Sequence, residues 1–246
     1  MREKIEKPYL ISCHTNFHAF DDYDINTVFS SRNHAQRNGS EVFVYNGVDT
    51  EELGPVDFNR KRNGLLFMAY AKRPEKNLKD CRYIARKTKN VLKIIGLKNK
   101  WFRRLQPGIE CKGFLGGQER NAVIQSSKAL LFPVRWHEPF GIAVIECMYF
   151  GLPVFASSYG SLPELVKQDV GFVSDSRSRL VEAIQQIGQF NPKRCHEYVC
   201  EQFTSKHMTD NYLNLYQKVL AGHTLNAKPP VNGGNFSPQE LLPFYV

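Results

Sequence analysis

The chain has 246 residues, of which 42% are hydrophobic and 23% are charged. These fractions are ordinary for a globular protein, so they exclude a disordered chain, a collagen-like repeat and a small disulfide-framework protein. The formal charge of +9 is concentrated between residues 60 and 104, where sixteen Lys or Arg accompany only Glu75 and Asp80; this block either attracts phosphates, acidic lipids or nucleic acid, or is the solvated face of a helix.

The elements predicted along the chain alternate between strands and helices. Residues 1–44 contain short apolar runs at 9–12 and 27–31 and a strand-like alternation at 41–45. From residue 65 the alternation becomes regular. We predict strands at 65–69, 91–96, 109–114, 129–134, 153–157 and 170–173, and helices at 77–88, 117–127, 140–150, 162–167, 177–189, 192–202 and 206–220. The last 26 residues carry four prolines and no periodicity, which predicts a flexible tail at 221–246.

Short strands that alternate with helices indicate an α/β fold: a Rossmann-like parallel sheet of about six strands with helices on both faces. We expect residues 45–220 to form this domain. Ligands of such open sheets bind at the carboxyl ends of the strands. The residues that follow each predicted strand are therefore the place to look for a site.

One strand end carries residues suited to binding a phosphate. The strand at 129–134 is followed by the sequence RWHEPFG and then by a helix that carries Glu146. Pro139 suits the first turn of that helix, and Gly141 lets a ligand approach the backbone amides at its positive end. Glu146 lies two turns beyond Glu138, or about 12 Å. Two carboxylates on either side of an anion site suit a nucleoside-diphosphate sugar, which has hydroxyls at both ends and phosphates between them.

The segment HEPFGIAVIECMYFGLPVFAS at 137–157, with its Glu138-x7-Glu146 spacing, resembles the donor-binding half of family 4 retaining glycosyltransferases. Gly160 and the LPE at 162–164 extend the resemblance. So do NGVD at 46–49, PEKN at 74–77, KGFL at 112–115 and the closing helix at 206–220. The resemblance implies the C-terminal half of a GT-B architecture, in which two Rossmann-like domains face a cleft. It also implies transfer of a hexose from a nucleotide sugar, with retention and without a metal.

The resemblance assigns roles to individual residues. Glu138 would hold the hydroxyls of the donor sugar, and Lys76 would neutralise the departing diphosphate; these two are the candidate catalytic residues. Glu146 would hold the ribose. The backbone of three residues would line the sugar and the diphosphate, namely Phe140, Gly141 and Ile142.

This sequence departs from the family pattern in two ways. The family normally has an arginine five or six residues before the lysine, where this chain has Tyr70 and Ala71. Lys72 or Arg73 can reach the diphosphate instead, although a lysine lacks the bidentate fork of arginine. Residues 1–44 match only the last part of the family's acceptor domain. We therefore expect a second chain or a second copy to supply that domain, unless the sequence is part of a longer chain.

Two functions remain open from the sequence. The first is a transferase, or the donor-binding half of one, that acts on a glycan, lipid or small-molecule acceptor. The second is a non-catalytic nucleotide-sugar-binding module that supports a complete transferase. The side chains do not encode the base or the sugar of the donor.

Other ligands receive less support from the sequence. His14 and His18 have a helical ligand spacing but no third ligand, so we predict no metal site and no bound cofactor. No nucleic-acid motif accompanies the aromatic residues of the basic block, so we predict no nucleic-acid partner. The mixture of cations and aromatics at 98–104 suits peripheral contact with a membrane. No apolar run is long enough for a membrane span or a secretory signal, so we expect a cytoplasmic protein.

Overall fold

A parallel sheet of six strands forms the centre of the molecule. The computed structural model describes residues 7–16, 23–98, 107–232 and 241–246. The strand order in the sheet is β5-β4-β3-β6-β7-β8, which confirms the predicted Rossmann-like α/β fold. The strands are β3 (Leu65–Met68), β4 (Leu92–Ile95), β5 (Ile109–Gly113), β6 (Ala129–Phe132), β7 (Val154–Ala156) and β8 (Gly171–Val173).

Helices cover both faces of this sheet. The helices of this part of the chain are α2 (Thr50–Leu53), α3 (Leu78–Lys87), α4 (Gly117–Gln125), α5 (Ile142–Tyr149), α6 (Leu162–Leu165), α7 (Arg177–Gln185), α8 (Pro192–Gln202) and α9 (Ser205–Leu220). Within the described residues, no helix is both long enough and apolar enough to cross a membrane.

The central strands are apolar on both faces because each face packs against helices. Leu66 and Leu130 belong to a core cluster that includes residues of α5 and α8. Their neighbours Leu65 and Leu131 belong to a second cluster with residues of α3 and α7. Successive residues of a strand point to opposite faces, so one short apolar run contributes to both clusters.

The described residues before 45 form a small unit beside the sheet. Strands β1 (Ile11–Cys13) and β2 (Thr27–Phe29) pair in parallel, and α1 (Arg32–Arg37) follows them. The predicted strand at 41–45 is wrong, because only a single bridge forms there, between Phe29 and Phe43. The chain then leaves the small sheet, since the ring of Tyr45 packs against Phe203 of the larger domain at a centroid distance of 5.6 Å.

The described parts of the segment 221–246 are bonded to the rest of the molecule. The carbonyl of Pro230 accepts a hydrogen bond from Tyr23 N–H at 2.9 Å. Asn226 is buried, and its side chain donates to the carbonyls of Ile25 and Thr27. Residues 242–245 bond to loops of the large sheet. These contacts differ from the expected flexible tail. They arise because backbone groups near the prolines find partners that sequence periodicity does not reveal.

Candidate donor site

The candidate site lies where the strand order of the sheet reverses. β3 and β6 are neighbours, but the chain continues from β3 to β4 on one side and from β6 to β7 on the other. The loops that leave their carboxyl ends therefore diverge and open a crevice between them. Ligands of open α/β sheets bind at this kind of crevice.

Asn77 connects the two loops at this crevice. Its backbone is left-handed, with a φ of 58°, a conformation that asparagine tolerates better than most residues. Its side-chain oxygen accepts from Asp80 N–H in the first turn of α3, and its amide donates to the carbonyl of Pro133 at 2.9 Å. Asn77 is buried and directly follows Lys76. It therefore fixes the position of that lysine relative to the end of β6.

Lys76 and Glu138 form an ion pair in the crevice. Lys76 Nζ donates to Glu138 Oε2 at 2.7 Å, and the two side chains are only 12% and 10% exposed. The indole N–H of Trp136 donates to the same oxygen at 2.9 Å, and Lys76 Nζ lies 4.4 Å from the centroid of the Trp136 ring. Because both bonds end on Oε2, Oε1 can accept from a ligand hydroxyl, and the remaining lysine hydrogens can bind an anion.

The start of α5 faces the same crevice. Gly141 precedes the helix with a φ of 95°, which glycine adopts without the penalty of a side chain. No side chain caps this end. The first backbone amides of α5 are therefore available as donors at the positive end of the helix dipole, an arrangement that favours an anion.

Glu146, just over one turn into α5, is paired with a residue of α4. Arg120 Nη1 lies 2.9 Å from Glu146 Oε1, and Arg120 also donates to Asn121 Oδ1. Burial raises the pKa of the Glu146 carboxyl, and the Arg120 guanidinium opposes part of that rise. The arrangement supplies one carboxylate just before α5 and a second one within it.

The model of one protein family, described as Glycosyl transferases group 1, matches residues 57–199, which is more than half of the chain. The chain belongs to this family. The family match and the structural likenesses below confirm the resemblance to a GT-B glycosyltransferase.

Individual relatives of this chain are longer than the region that they share with it. The N-acetyl-alpha-D-glucosaminyl L-malate synthase of Bacillus anthracis is 29% identical over 116 residues, which are 44% of this chain and 30% of that protein. AviGT4, a glycosyltransferase involved in avilamycin A biosynthesis, is 22% identical with a TM-score of 0.70, covering 81% of this chain and 64% of AviGT4. HepE of Anabaena, solved with UDP and glucose, is 15% identical with a TM-score of 0.62, covering 79% of this chain and 63% of HepE. The chain therefore spans less than two thirds of each, and the structural likenesses show the fold.

The remaining residues that are predicted to bind the donor differ in their exposure and in their contacts near the ion pair. Arg73 pairs with Glu75 and places its guanidinium carbon 5.3 Å from the Trp136 ring centroid. Lys72 is exposed earlier in the same loop. Ile142 is half-exposed at the start of α5, whereas the side chain of Phe140 is buried in the core. Phe140 can therefore meet a ligand only through its backbone.

The two residues in place of the family's arginine have different surroundings. Ala71 N–H donates to the Gly96 carbonyl at 3.0 Å and so ties this loop to the end of β4. Tyr70 is 47% exposed, and its ring centroid lies 6.1 Å from that of Phe114, which is 58% exposed. An exposed aromatic pair therefore stands at the carboxyl ends of β3 and β5, where the family pattern has a cation.

Two conspicuous side chains outside the pair have structural partners. Glu164 accepts hydrogen bonds from the first backbone amides of α1, those of Arg32 and Asn33, and from the hydroxyl of Tyr45. Glu164 therefore stabilises the start of α1. His137 packs edge-on against Tyr159 at 5.9 Å. Burial, and to a smaller extent the charge of Arg37, lowers the pKa of His137 to about 4.

Three residues that shape the site have no role predicted from the sequence: Asn77, Arg120 and Trp136. Asn77 could have been found, since an asparagine at the start of a predicted helix is a capping signal. Arg120 and Trp136 carry no local signal, because their partners come from other elements. Within the described part of the chain, no three His, Cys, Asp or Glu side chains lie close enough to hold a metal ion, and His18 lies outside it.

Proposed function

We propose that this chain binds a nucleoside-diphosphate sugar and transfers its hexose, with retention, to a hydroxyl of a glycan, lipid or small-molecule acceptor. The observation that carries the proposal is the shielded Lys76–Glu138 pair beside the uncapped start of α5. A carboxylate, a cation and free amides then converge on one crevice. This is the set of groups that a sugar and a diphosphate require.

In this proposal each group acts on a defined part of the donor. Glu138 accepts hydrogen bonds from the sugar hydroxyls, and Glu146 accepts them from the ribose. Lys76 and the amides at the start of α5 stabilise the charge that develops on the leaving diphosphate, which supports a reaction without a metal cofactor. The bond between the sugar C1 and the diphosphate oxygen breaks, and a bond to the acceptor oxygen forms on the same face. The acceptor proton leaves with the diphosphate.

A solved structure with a similar fold supports a particular class of donor. HepE of Anabaena was solved with UDP and glucose, and the fold of this chain resembles it. We therefore propose a uridine or similar nucleotide sugar as the donor, with its base near the exposed rings of Tyr70 and Phe114.

A thermal-shift panel with UDP, GDP, ADP and their sugar conjugates, with and without EDTA, tests the proposal. A ligand at a hundredfold excess over its dissociation constant stabilises the folded state by about 2.7 kcal/mol. We expect the melting temperature to rise for one base, equally with EDTA, and the rise to be lost in Glu146→Ala. The matched control is Glu201→Ala, which changes an exposed glutamate on α8. No shift with any nucleotide would contradict the proposal.

A non-catalytic nucleotide-sugar-binding module is the alternative. Tyr70 and Ala71, in place of an arginine, favour it, because one diphosphate cation of the family is missing. Hydrolysis of the sugar donor by the chain would exclude this alternative. For transfer, we propose that the acceptor domain comes from a second chain, a second copy or a part of the protein outside this sequence, since the described residues before 45 pair only two strands.

We also propose that the chain works in the cytoplasm and touches an acidic membrane there. A groove of about 660 Å³ lies between α3 and residues 107–109. None of its described lining residues is acidic, and four of them are cationic: Lys79, Arg82, Arg86 and Lys89. Clustered cations near a membrane attract the anionic lipids of its cytoplasmic leaflet. Most of the predicted membrane-contact stretch, residues 99–104, lies outside the described residues.

Co-sedimentation with vesicles tests the membrane contact. We expect binding to vesicles with acidic lipids, loss of binding in high salt, and a clear reduction in the Arg82→Glu/Arg86→Glu variant. Lys218→Glu/Lys228→Glu makes the same change in net charge at exposed positions elsewhere. An equal reduction in both variants would mean that only net charge matters, and the α3 groove would be rejected as a site.

A further inference from the structure

A short segment near the end of the sequence runs along the carboxyl edge of the sheet. We call residues 242–245 the edge strap. The segment crosses the loops that follow β6, β7 and β8 in turn. After β6, Leu242 N–H donates to the Arg135 carbonyl (2.9 Å), and Arg135 Nε–H donates to the Leu242 carbonyl (2.7 Å). After β7, the Tyr159 hydroxyl donates to the Pro243 carbonyl (2.5 Å). After β8, Tyr245 N–H donates to the Asp175 carbonyl (2.7 Å), and Arg177 N–H donates to the Tyr245 carbonyl (2.8 Å).

The edge strap is anchored by its own side chains as well as by its backbone. Phe244 packs against the core cluster that contains residues of α3 and α7. The neighbouring Tyr245 is 62% exposed. This inward and outward alternation is that of an extended strand, and Tyr245 forms a parallel bridge with Ser176. The edge strap therefore extends the carboxyl edge of the sheet as a packed element.

One residue connects the edge strap to the ion pair. Arg135 is bonded to Leu242 through both its carbonyl and its side chain. Its own N–H donates to the carbonyl of Glu75 at 2.8 Å, and Glu75 directly precedes Lys76. On the other side, Arg135 directly precedes Trp136, whose indole holds Glu138 Oε2. Arg135 thus lies between the edge strap, the loop of Lys76 and the loop of Glu138.

We propose that the edge strap is a positioning element for the donor site. By fixing Arg135 from the side opposite to Glu75, it holds Trp136 in place above Lys76 and beside Glu138. The loop from 133 to 141 contains no regular structure, so without the edge strap its backbone has fewer fixed points. The expected effect of the edge strap on donor binding rests on the proposed function. The positioning of Trp136 can be measured without any donor.

A fluorescence experiment tests the positioning directly. The chain has two tryptophans, so the Trp101→Phe background leaves Trp136 as the only indole reporter. In that background we compare the whole chain, a chain ending at Leu241, and a chain lacking only Val246, whose side chain is 85% exposed. We expect acrylamide quenching of Trp136 to rise about twofold or more when the edge strap is removed, and to stay unchanged when only Val246 is removed.

Point variants test the same positioning if the truncated chain fails to fold. Arg135→Met and Tyr159→Phe remove side-chain bonds to the edge strap and leave Phe244 in the core. We expect Arg135→Met to raise the quenching of Trp136, and Tyr159→Phe to raise it less. If quenching is the same in the whole chain, in a folded truncated chain and in Arg135→Met, the edge strap does not position the site and the proposal is overturned.

Donor binding, measured by calorimetry with the nucleotide found in the thermal-shift panel, separates this proposal from the proposed function. We expect the truncated chain to bind at least about fivefold more weakly than the chain lacking Val246. Unchanged binding beside raised quenching would overturn the role in donor binding. If the whole chain binds no nucleotide, the proposed function fails, and the quenching series still decides whether the edge strap positions Trp136.

Discussion

Glu138→Gln is expected to abolish detectable donor binding and to lower any transfer activity by about 100-fold or more. Removing one charged group that stabilises a reacting ligand typically costs about 3 kcal/mol. The substitution also leaves Lys76 with 12% exposure and no carboxylate partner. Breaking a buried pair from one side costs about 3–5 kcal/mol of stability, so urea unfolding should show a clear loss as well.

A double-mutant cycle separates the two effects of this substitution. Glu138→Gln/Lys76→Met removes both charges, so we expect much of the stability to return while donor binding stays absent. Asp210→Asn is the control, because it breaks an exposed pair with Lys206 on α9 and should change stability by less than about 1 kcal/mol. If the double variant binds donor as well as the original chain, the pair serves only the fold.

Gly160→Ala is expected to destabilise the protein by roughly 3–5 kcal/mol and to weaken donor binding. Gly160 has a φ of 65°, and a Cβ there would lie 2.3 Å from the carbonyl oxygen and 2.4 Å from the nitrogen of Glu138. Backbone atoms cannot be moved aside as the end of a flexible side chain can, so the Glu138 loop must shift. Overpacking and backbone strain together can lower the free energy of unfolding by this amount.

Gly54→Ala is a matched control for the conformational part of this loss. Gly54 has a similar φ of 78°, but a Cβ there would meet nothing within 4 Å. Gly54 has a ψ of −172°, so we expect the variant to cost only the strain of an alanine in this extended, positive-φ conformation, about 1–3 kcal/mol, with donor binding unchanged. Equal losses of stability in the two variants, measured by urea unfolding, would show that the close approach to Glu138 has no energetic consequence.

The buried strands and helices could be predicted because each depends on a hydrophobic pattern of a few consecutive residues. The run at 129–134 is apolar in successive residues, which occurs when both faces of a strand are covered, and it contains β6. The helix predicted at 140–150 likewise depends only on its own residues, and α5 forms there at Ile142–Tyr149. By contrast, the expected strand at 41–45 fails because a strand needs a partner, and among the described residues only Phe29 forms a bridge there, with Phe43.

The candidate site was predictable as a set of residues and not as an arrangement. RWHEPFG and PEKN could be picked out because each motif is contiguous, and the resemblance supplied their roles. That Lys76 Nζ lies 2.7 Å from Glu138 Oε2, and that Trp136 covers the pair, depends on two loops separated by about sixty residues. Nothing in either loop specifies the other; the reversal of strand order between β3 and β6 brings them together.

By itself, the sequence determined the alternating strands and helices, the Rossmann-like sheet, the family and the position of the donor motif along the chain. These follow from hydrophobic periodicity and contiguous motifs, which act over a few residues. The tertiary structure alone decided the pairing of Lys76 with Glu138, the pairing of Arg120 with Glu146, and the docking of residues 242–245 beside Arg135. Each of these contacts joins groups that are distant along the chain, and their geometry is set by how the whole sheet packs.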